Sequence, residues 1–494
     1  MSPPATLGAA LRDWAARFPE HTAAIGGPTR WRFADLDDAA DACAARLSTI
    51  GVGAGDRVAL LAANQPAWLA HAFGAWRIGA TLVPISTFVT ARELGEILLD
   101  AQPCAIIVQP TMGGRDFGSM VASLPASLRP RHHLPLEIDG AADPVRPTPA
   151  CGAIPESIAC ILYTSGTTGK AKGVMLSHRA ILSTVAPTAE RGGLAPGDVM
   201  LSTLPLFWVA GLVIRALPTL ASGAALLTME AFSADALVDA LRAERPSALH
   251  LRPPQVGQLL THSKFEPSLL ASVHRGGGRV DWFAPHLDPN RVRFITGYGM
   301  TEMAGYVTAL DWRDPVDVRA TCIGTALPGV EIRIVGGEVR VRGPGMFSGY
   351  HNQPPGLGLD ADGFFCTGDL GAIDAGGTFH FSGRSKDLLR VKGINVSPVE
   401  VEAVLAAYEA VDSAYVVGLP PDGLEQELVA LVVPRRPLPP IEEALRAHAA
   451  AALSHYKRPS RYIFIRRDEV PLGGTDKPQR GALAELAAAR LAAS

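Results

Sequence analysis

A chain of 494 residues is too long for one ordinary hydrophobic core, and usual domain sizes predict two to four compact units. Its composition of 48% hydrophobic and 19% charged residues excludes an intrinsically disordered protein. The formal net charge of -3 provides no positive excess for a nucleic acid, so we exclude that class of partner as well.

The six cysteines lie far apart and form no CxxC pair and no metal-binding spacing with histidine. We expect reduced, mostly buried thiols, which fits a cytoplasmic protein. The first 25 residues carry Arg, Asp and Glu within their apolar pattern, so we expect no signal-peptide core there. No window reaches the roughly 18 uncharged apolar residues of a membrane span.

The first half of the chain alternates short apolar runs with helical patterns. Buried strands are predicted over Asp56–Ala63 and Cys104–Gln109, with a helix over Gln65–Ala80 between them. Residues Leu136–Glu156 are rich in proline and polar residues and predict a loop leading into a strand over Ser157–Thr164. Repeated strand–helix–strand order predicts parallel sheets covered by helices.

The pattern changes after about residue 308 to short strands with glycine turns. Val330–Gly343 and Gly377–Arg384 are such segments and indicate a small antiparallel β unit. From residue 387 a new α+β unit is predicted, with a capped helix over Ser397–Tyr408 and strands over Ser413–Pro420 and Leu428–Pro434.

The stretch ILYTSGTTGKAKGVMLSH, Ile161–His178, begins within the predicted strand and concentrates glycine, hydroxyl and lysine residues. Its glycines expose backbone N–H groups, which bind anions when they form a concave row. It is not a Walker A loop, because only two residues separate Gly166 from Gly169 and Ala171 follows Lys170. Composition alone leaves both a phosphate-binding loop and a flexible surface loop open.

Further motifs follow in a fixed order along nearly the whole chain. They are LPLFWVAGL at 204–212, GYGMTE at 297–302, TGD at 367–369, GRSKDLLRVKGINVSPVEVE at 383–402 and PLGGTDKPQR at 471–480. Together with the glycine-rich stretch, they resemble the adenylate-forming superfamily of acyl-CoA and aryl-CoA synthetases, peptide-synthetase adenylation domains and beetle luciferases.

The resemblance implies an α/β fold in two domains. The N-terminal adenylating domain, residues 1–385, would hold two parallel-sheet α/β subdomains and a small β-barrel-like unit. The C-terminal domain, residues 386–494, would be a small, mobile α+β unit. Lys386 would lie at the hinge, and Gly393 would line the tunnel that delivers the thiol of coenzyme A. Lys477 would bridge the acid carboxylate and an ATP phosphate, a task suited to a mobile point charge.

The resemblance also implies where ATP and Mg²⁺ bind. Thr301 would contact the α-phosphate, and Glu302 would ligate Mg²⁺, which prefers carboxylate and phosphate oxygens. The residues implied for the β- and γ-phosphates are Thr164, Ser165, Gly166, Thr167, Thr168, Gly169 and Lys172. Charge neutralisation by such groups is the expected strategy for transfer at phosphorus.

Adenosine recognition is implied at a second set of positions. Tyr298 and its neighbour Gly299 would face the adenine, and the glycines Gly276 and Gly277 would let the backbone approach the ring. Asp369 would accept hydrogen bonds from both ribose hydroxyls, and Arg384 would add a ribose or phosphate contact. The GGGR and TDK sequences depart from the family's usual GGAP or GAAP and GK.

The acid pocket is implied at Trp208 and Gly297. The segment LFWVAGL lacks the aspartate with which amino-acid-activating relatives hold the α-amine, so an α-amino acid is not expected. Trp208 stands where many relatives have histidine; it would either wall off the pocket and favour a short, flat or alicyclic acid, or serve only in packing. Arg252 would be either a surface residue or a ligand for a second carboxylate.

We therefore expect an ATP-dependent ligase that converts a carboxylic acid to acyl-AMP and then to acyl-CoA. Because no carrier domain follows Lys477 in this sequence, free coenzyme A is the expected acceptor. Two alternatives stay open: a free-standing adenylation enzyme that loads a separate acyl carrier protein, and a nucleotide-binding protein without catalysis. A homodimer is also compatible with the sequence.

Overall fold

The computed structural model describes residues 4–138, 152–164, 172–384, 388–391, 394–420, 426–435, 441–453, 455–473 and 478–492. The chain forms two compact units. The first comprises Met1–Ile332, Val341–Phe365 and Ala375–Phe379, and the second comprises Arg333–Arg340, Cys366–Asp374 and His380–Ser494. Most of the predicted loop at 136–156 lies outside the described residues.

The described helices are distributed along both units. They are α1 (Leu7–Arg17), α2 (Phe33–Thr49), α3 (Pro66–Arg77), α4 (Ala91–Ala101), α5 (Phe117–Ala122), α6 (His178–Gly192), α7 (Val209–Gly211), α8 (Leu217–Ala221), α9 (Ala234–Glu244), α10 (Pro253–Leu260), α11 (Val316–Thr321), α12 (Pro398–Ala406), α13 (Glu442–Ala452) and α14 (Arg480–Ala492). A π-helical segment, Leu212–Ala216, joins α7 to α8.

The strands up to residue 277 are β1 (Thr22–Gly26), β2 (Thr29–Arg32), β3 (Arg57–Leu61), β4 (Thr81–Ile85), β5 (Ala105–Val108), β6 (Thr111–Met112), β7 (Arg115–Asp116), β8 (His132–Pro135), β9 (Ile158–Thr164), β10 (Lys172–Ser177), β11 (Val199–Ser202), β12 (Ala225–Thr228), β13 (Ala248–His250) and β14 (Arg275–Gly277). The later strands are β15 (Arg293–Ile295), β16 (Gly297–Met300), β17 (Gly305–Ala309), β18 (Thr325–Ala326), β19 (Glu331–Val335), β20 (Glu338–Arg342), β21 (Phe365–Ile373), β22 (Phe379–Arg384), β23 (Leu389–Val391), β24 (Ile394–Val396), β25 (Val411–Leu419), β26 (Glu427–Pro434) and β27 (Arg461–Phe464).

Two large sheets organise the first unit and confirm the predicted parallel α/β architecture. The seven-stranded sheet has the order β15-β14-β13-β11-β12-β1-β2, with only the β1–β2 pair antiparallel. The six-stranded sheet has the order β10-β9-β4-β3-β5-β8, with only the β9–β10 pair antiparallel. Ligands of such sheets bind beyond the carboxyl ends of the strands, which is where several motif residues lie.

The predicted helix at 65–80 is α3, and its burial explains its composition. Pro66 occupies the first helical turn, where its missing N–H costs no hydrogen bond. Eleven of the twelve residues of α3 are buried, including Trp68, Phe73 and Trp76. A helix that is apolar on all sides must lie inside the fold, so α3 forms part of the first unit's core.

Short strands follow the two large sheets, as the change in pattern predicted. A three-stranded antiparallel sheet contains β16, β17 and β18, and a four-stranded sheet has the order β19-β20-β21-β22. In the second unit, β25 pairs antiparallel with β26, and β26 pairs parallel with β27. The predicted helix α12 begins at its cap Ser397, whose hydroxyl oxygen accepts a hydrogen bond from the Glu400 N–H at 3.4 Å.

Candidate functional site

The glycine-rich stretch joins two antiparallel strands. Thr164 ends β9 and Lys172 begins β10, and these two residues face each other across the strand pair. The strand predicted before the glycines is therefore confirmed as β9. The predicted phosphate ligands between them, Ser165, Gly166, Thr167, Thr168 and Gly169, lie outside the described residues.

Strand β10 lies at the edge of its sheet, where a later segment of the chain, residues 348–351, pairs with it. The N–H of Met175 donates to the Gly349 carbonyl at 3.1 Å, and the N–H of Ser348 donates to the Met175 carbonyl at 2.8 Å. A third bond runs from the His351 N–H to the Gly173 carbonyl at 2.7 Å. These backbone bonds hold Tyr350 beside the strand that carries Lys172.

Glu302 lies in a tight turn between β16 and β17. Residues Thr301–Met303 form one 3₁₀ turn, and Ala304 follows with a φ of 48°, a left-handed conformation that is uncommon for alanine. The carbonyl of Ala304 accepts a hydrogen bond from the Thr184 hydroxyl at 2.9 Å, which fixes the turn against α6. Backbone strain of this kind concentrates at functional sites.

Tyr350 connects Glu302 with Lys172. Its hydroxyl donates a hydrogen bond to Oε1 of Glu302 at 2.7 Å, and the Lys172 Nζ lies 5.1 Å from the centre of its ring. Burial, together with the charge of Glu302, raises the pKa of Tyr350, so the phenol stays protonated and remains a donor. No motif singled out Tyr350 in the sequence, because its contacts involve residues 48 and more positions away.

The arrangement fits a magnesium ion that is shared with a nucleotide. Within the described residues, no group of three or more His, Cys, Asp and Glu side chains converges on one point. Mg²⁺ needs no such cage, because it binds through one or two carboxylates, water and substrate phosphates. Glu302 would supply the carboxylate, and Lys172 would supply a positive charge for the phosphates.

The residues predicted to contact adenine lie on β14 and β16. Tyr298 is buried, and its ring centre lies 4.8 Å from that of Phe379. A Cβ atom at Gly299 would collide with the carbonyl oxygen of Gly305 on the partner strand, and one at Gly297 would collide with that of Thr308. Close pairing of β16 with β17 therefore requires both glycines, whatever else they contact.

Close packing also explains why positions 276 and 277 are glycine. Both lie in β14, between β13 and β15. A Cβ atom at Gly276 would collide with the Leu249 carbonyl oxygen and the ring of Phe294. At Gly277 it would collide with the guanidinium of Arg215 and the ring of His250. Arg215 thus lies directly against this predicted nucleotide segment, a contact that the motifs did not reveal.

Trp208 is part of a cluster of three aromatic side chains. Its ring centre lies 5.6 Å from that of Phe207 and 6.1 Å from that of Phe88. Phe88 is 44% exposed although it is a large apolar residue, so this cluster reaches the surface of the first unit. The segment directly before Phe207 and Trp208 is held by Asn64. The Asn64 side chain bonds to the carbonyl of Leu204 and to the N–H of Leu206, both at 2.8 Å.

Asp369 and Arg384 belong to the second compact unit. Asp369 lies in β21 and is buried, and its N–H donates to the Thr367 hydroxyl at 3.0 Å. The Thr367 hydroxyl in turn donates to the Val339 carbonyl at 2.6 Å. Arg384 ends β22, and its side chain lies outside the described residues.

Three further predicted residues lie outside the part of the chain that the structure describes. They are Lys386, Gly393 and Lys477. Arg252, considered as a second-carboxylate ligand, is the residue before α10, and Gln255 caps its backbone N–H at 3.0 Å. In the described residues, no helix has both the length and the apolar character to cross a membrane.

Comparison with known proteins shows the family of this chain. Residues 11–351 match the family of AMP-binding enzymes, and residues 400–477 match the AMP-binding enzyme C-terminal domain. The chain is 33% identical to the 3-[(3aS,4S,7aS)-7a-methyl-1,5-dioxo-octahydro-1H-inden-4-yl]propanoyl:CoA ligase of Mycobacterium tuberculosis (strain ATCC 25618 / H37Rv), over 97% of this chain and 99% of the relative. It is 31% identical to a feruloyl-CoA synthase of Amycolatopsis sp, over 95% of this chain and 98% of the relative.

A solved structure supports the same assignment. The crystal structure of ATP-bound MatB from Rhodopseudomonas palustris is similar to this chain with a TM-score of 0.82 and 26% identity, covering 96% of this chain and 98% of MatB. The chain belongs to the family of AMP-binding enzymes. It is an AMP-forming acid–thiol ligase: with ATP and Mg²⁺ it converts a carboxylic acid to acyl-AMP, and it transfers the acyl group to coenzyme A. The alternative of a nucleotide-binding protein without catalysis is therefore not retained.

Proposed function

We propose that the acid activated by this chain carries a ring system, either alicyclic or aromatic, and that adenylation takes place around the cluster of Lys172, Glu302 and Tyr350. The observation that carries the proposal is the phenol of Tyr350, which bonds to the Glu302 carboxylate and lies next to the Lys172 ammonium. An anion-binding cation and a metal-binding carboxylate are thereby held in one place, as in-line transfer at phosphorus requires.

The ring-bearing acid is supported by two observations. The acyl groups named for the relatives from Mycobacterium tuberculosis and Amycolatopsis sp both contain rings. In this chain, the aromatic cluster of Trp208, Phe207 and Phe88 offers flat apolar surfaces, on which rings pack in offset or edge-to-face geometry. Gly297 would complete the acid pocket.

The residues proposed to bind ATP are those that the sequence motifs indicate. Thr164, Lys172 and the glycine-rich stretch between them would hold the β- and γ-phosphates. Thr301 would contact the α-phosphate, and Glu302 would hold Mg²⁺, which supplies charge neutralisation when it is bound. The adenosine contacts would come from Tyr298, Gly299, Gly276, Gly277, Asp369 and Arg384.

The C-terminal domain, from a boundary near Lys386, would contribute Lys477 to adenylation and would then rotate about the hinge. In the rotated pose, Gly393 would line the path of the incoming thiol. Rotation of a small domain about one element-terminal residue is a common closure mechanism. The two poses would let one active site perform two chemically different half-reactions.

A pyrophosphate-release assay tests the proposal. A panel of ring-bearing acids, straight-chain acids of equal carbon number and α-amino acids is offered with ATP, Mg²⁺ and coenzyme A. We expect release with ring-bearing acids at a kcat/KM at least 10-fold above that of the matched straight-chain acids. Equal rates for rings and chains would contradict the ring-bearing class.

The location and the assembly are also proposals, and a carrier-protein acceptor is a testable alternative. A carrier-protein acceptor would be revealed by thioester formation on an acyl carrier protein offered in place of coenzyme A. A cytoplasmic location is proposed because the cysteines in the described residues, among them the buried Cys43 and Cys160, are all free. A homodimer is testable by light scattering.

A further inference from the structure

Arg215 carries a buried positive charge that the proposed chemistry does not use. It lies in the π-helical segment between α7 and α8, and only 4% of it is exposed. Among the residues that the structure describes, no Asp or Glu oxygen lies within 4 Å of its guanidinium, whereas buried charges in proteins are usually paired. Short π-helical segments are frequent at functional sites.

The two side chains that do bond to Arg215 are neutral. Its Nε–H donates to Nδ1 of His250, and an Nη2–H donates to the Tyr306 hydroxyl at 3.0 Å. Burial and the charge of Arg215 lower the pKa of His250 well below its ordinary value, so the imidazole is uncharged. Since Nδ1 accepts from Arg215, the proton of that imidazole lies on Nε2.

Several donors of this cluster therefore have no partner within the described part of the chain. A guanidinium has five N–H groups, and those of Arg215 make only the bonds to His250 and Tyr306. A second buried arginine provides a contrast. Arg319, 6% exposed, donates to the backbone carbonyls of Asp314, Val292 and Pro289 at 3.0, 3.1 and 2.8 Å. The environment of Arg319 is that of a structural arginine; the environment of Arg215 is not.

The location of Arg215 connects it with the proposed acid site. The guanidinium lies against Gly277, and the ring of Tyr306 lies against Gly297, within 2.9 Å of where a Cβ would be. The helical chain that carries Arg215 begins directly after Trp208.

We propose that Arg215, His250 and Tyr306 form an oxygen-binding subsite that holds a second carboxylate at the far end of the acid, in preference to a neutral carbonyl. The missing counter-charge favours the carboxylate, and the planar fork of Arg215 matches its two oxygens. This inference rests on the proposed function, since it assumes that the chain activates a ring-bearing acid. It assigns Arg215 the role of determining which ring-bearing acid is accepted.

Three acids of one skeleton test the subsite: 3-cyclohexylpropanoate, 3-(4-oxocyclohexyl)propanoate and 3-(4-carboxycyclohexyl)propanoate. Pyrophosphate release is measured with each, for the parent and for Arg215→Met. We expect the parent to favour the carboxyl-bearing acid over the unsubstituted one by about 10-fold or more in kcat/KM, because a site built to bond a polar group discriminates strongly against its absence. In Arg215→Met, the ratio of kcat/KM for the carboxyl-bearing acid to that for the unsubstituted acid should fall to one or below.

Arg319→Met is the matched control, since it removes a buried guanidinium whose three nitrogens each bond to a backbone carbonyl, and it should leave the ratio of kcat/KM between the acids unchanged. If Arg215→Met fails to fold by circular dichroism, Arg215→Lys replaces it and should reduce the ratio while keeping the charge. An unchanged ratio in a folded Arg215 variant, or a parent that prefers the ketone or the unsubstituted acid, would overturn the subsite. Absence of pyrophosphate release with every ring-bearing acid would instead overturn the proposed function.

Discussion

Tyr350 belongs to none of the sequence motifs, yet it contacts both Glu302 and Lys172. Its hydroxyl bonds to the Glu302 carboxylate, and its ring lies next to Lys172, so the proposed metal-binding and phosphate-binding groups share a support. Sequence motifs indicated Lys172 and Glu302 separately. Their connection through Tyr350 requires segments distant in sequence to meet, which no local pattern encodes.

Tyr350→Phe tests that support, because it keeps the ring and removes only the hydroxyl. A hydrogen bond to a charged group contributes about 1.5–3 kcal/mol, so we expect kcat/KM to fall roughly 10- to 100-fold and the Mg²⁺ concentration for half-maximal rate to rise. Tyr163→Phe is the control, since the Tyr163 hydroxyl bonds to a carboxylate of Asp100, outside the cluster, at 2.6 Å. An equal rise in Mg²⁺ requirement in both variants would contradict the role of Tyr350.

Asp369 is predicted to bind the ribose of ATP. Removing a charged acceptor that bonds to the ribose hydroxyls should cost about 1.5–3 kcal/mol of ATP affinity. Asp369→Ala should therefore raise the KM for ATP by roughly 10-fold or more, while the KM for the acid changes little. A parent-like KM for ATP in a folded variant would remove Asp369 from the site.

Trp208 is predicted to limit the size of the acid. If its ring closes the pocket, Trp208→Ala should shift preference toward bulkier acids and leave the KM for ATP unchanged. Phe88→Ala removes the exposed neighbour of the same cluster and should shift the profile less. Identical acid profiles for Trp208→Ala and the parent would mean that the indole serves only in packing.

At the scale of elements, the sequence was most informative where burial was complete. Strands β3, β5 and β9 and helix α3 were predicted because buried elements of a parallel fold read as continuous apolar runs. The π-helical segment was not predicted, because an i to i+5 bond pattern leaves no distinct period in five residues. Nor was the crowding around β14, since a glycine does not reveal which neighbour excludes its side chain.

That crowding leads to a prediction for Gly276. A methyl group there would meet the Leu249 carbonyl oxygen inside a parallel sheet, where the backbone cannot yield without breaking strand pairing. Gly276→Ala should lower the free energy of unfolding by about 1–3 kcal/mol or more, measured by urea titration. Gly53→Ala, at a site with no atom within 4 Å of the added Cβ, should change it little.

At the scale of the whole molecule, the proposed alternation of the C-terminal domain separates the two half-reactions. If Lys477 neutralises charge only during adenylation, Lys477→Ala should slow acyl-AMP formation by roughly 10²- to 10³-fold or more. The same variant, given presynthesised acyl-AMP and coenzyme A, should form the thioester at a rate near that of the parent. Loss of both steps to the same degree would make Lys477 a structural residue.

Lys386→Pro should give the opposite result. A proline fixes φ at the proposed hinge and restricts the rotation, so thioester formation should slow while acyl-AMP formation continues. Both steps are measured on the same preparation as for Lys477→Ala. Parent-like thioester formation would place the hinge elsewhere.

The pairing of residues 348–351 with β10 has a consequence for solubility. An uncovered edge strand offers unpaired N–H and C=O groups to other chains and so promotes aggregation. The backbone bonds that place Tyr350 next to Lys172 also occupy the outer edge of the six-stranded sheet. Loosening this segment would therefore expose an unpaired strand edge and separate the proposed catalytic groups, so aggregation and loss of adenylation should rise together in any variant that breaks this pairing.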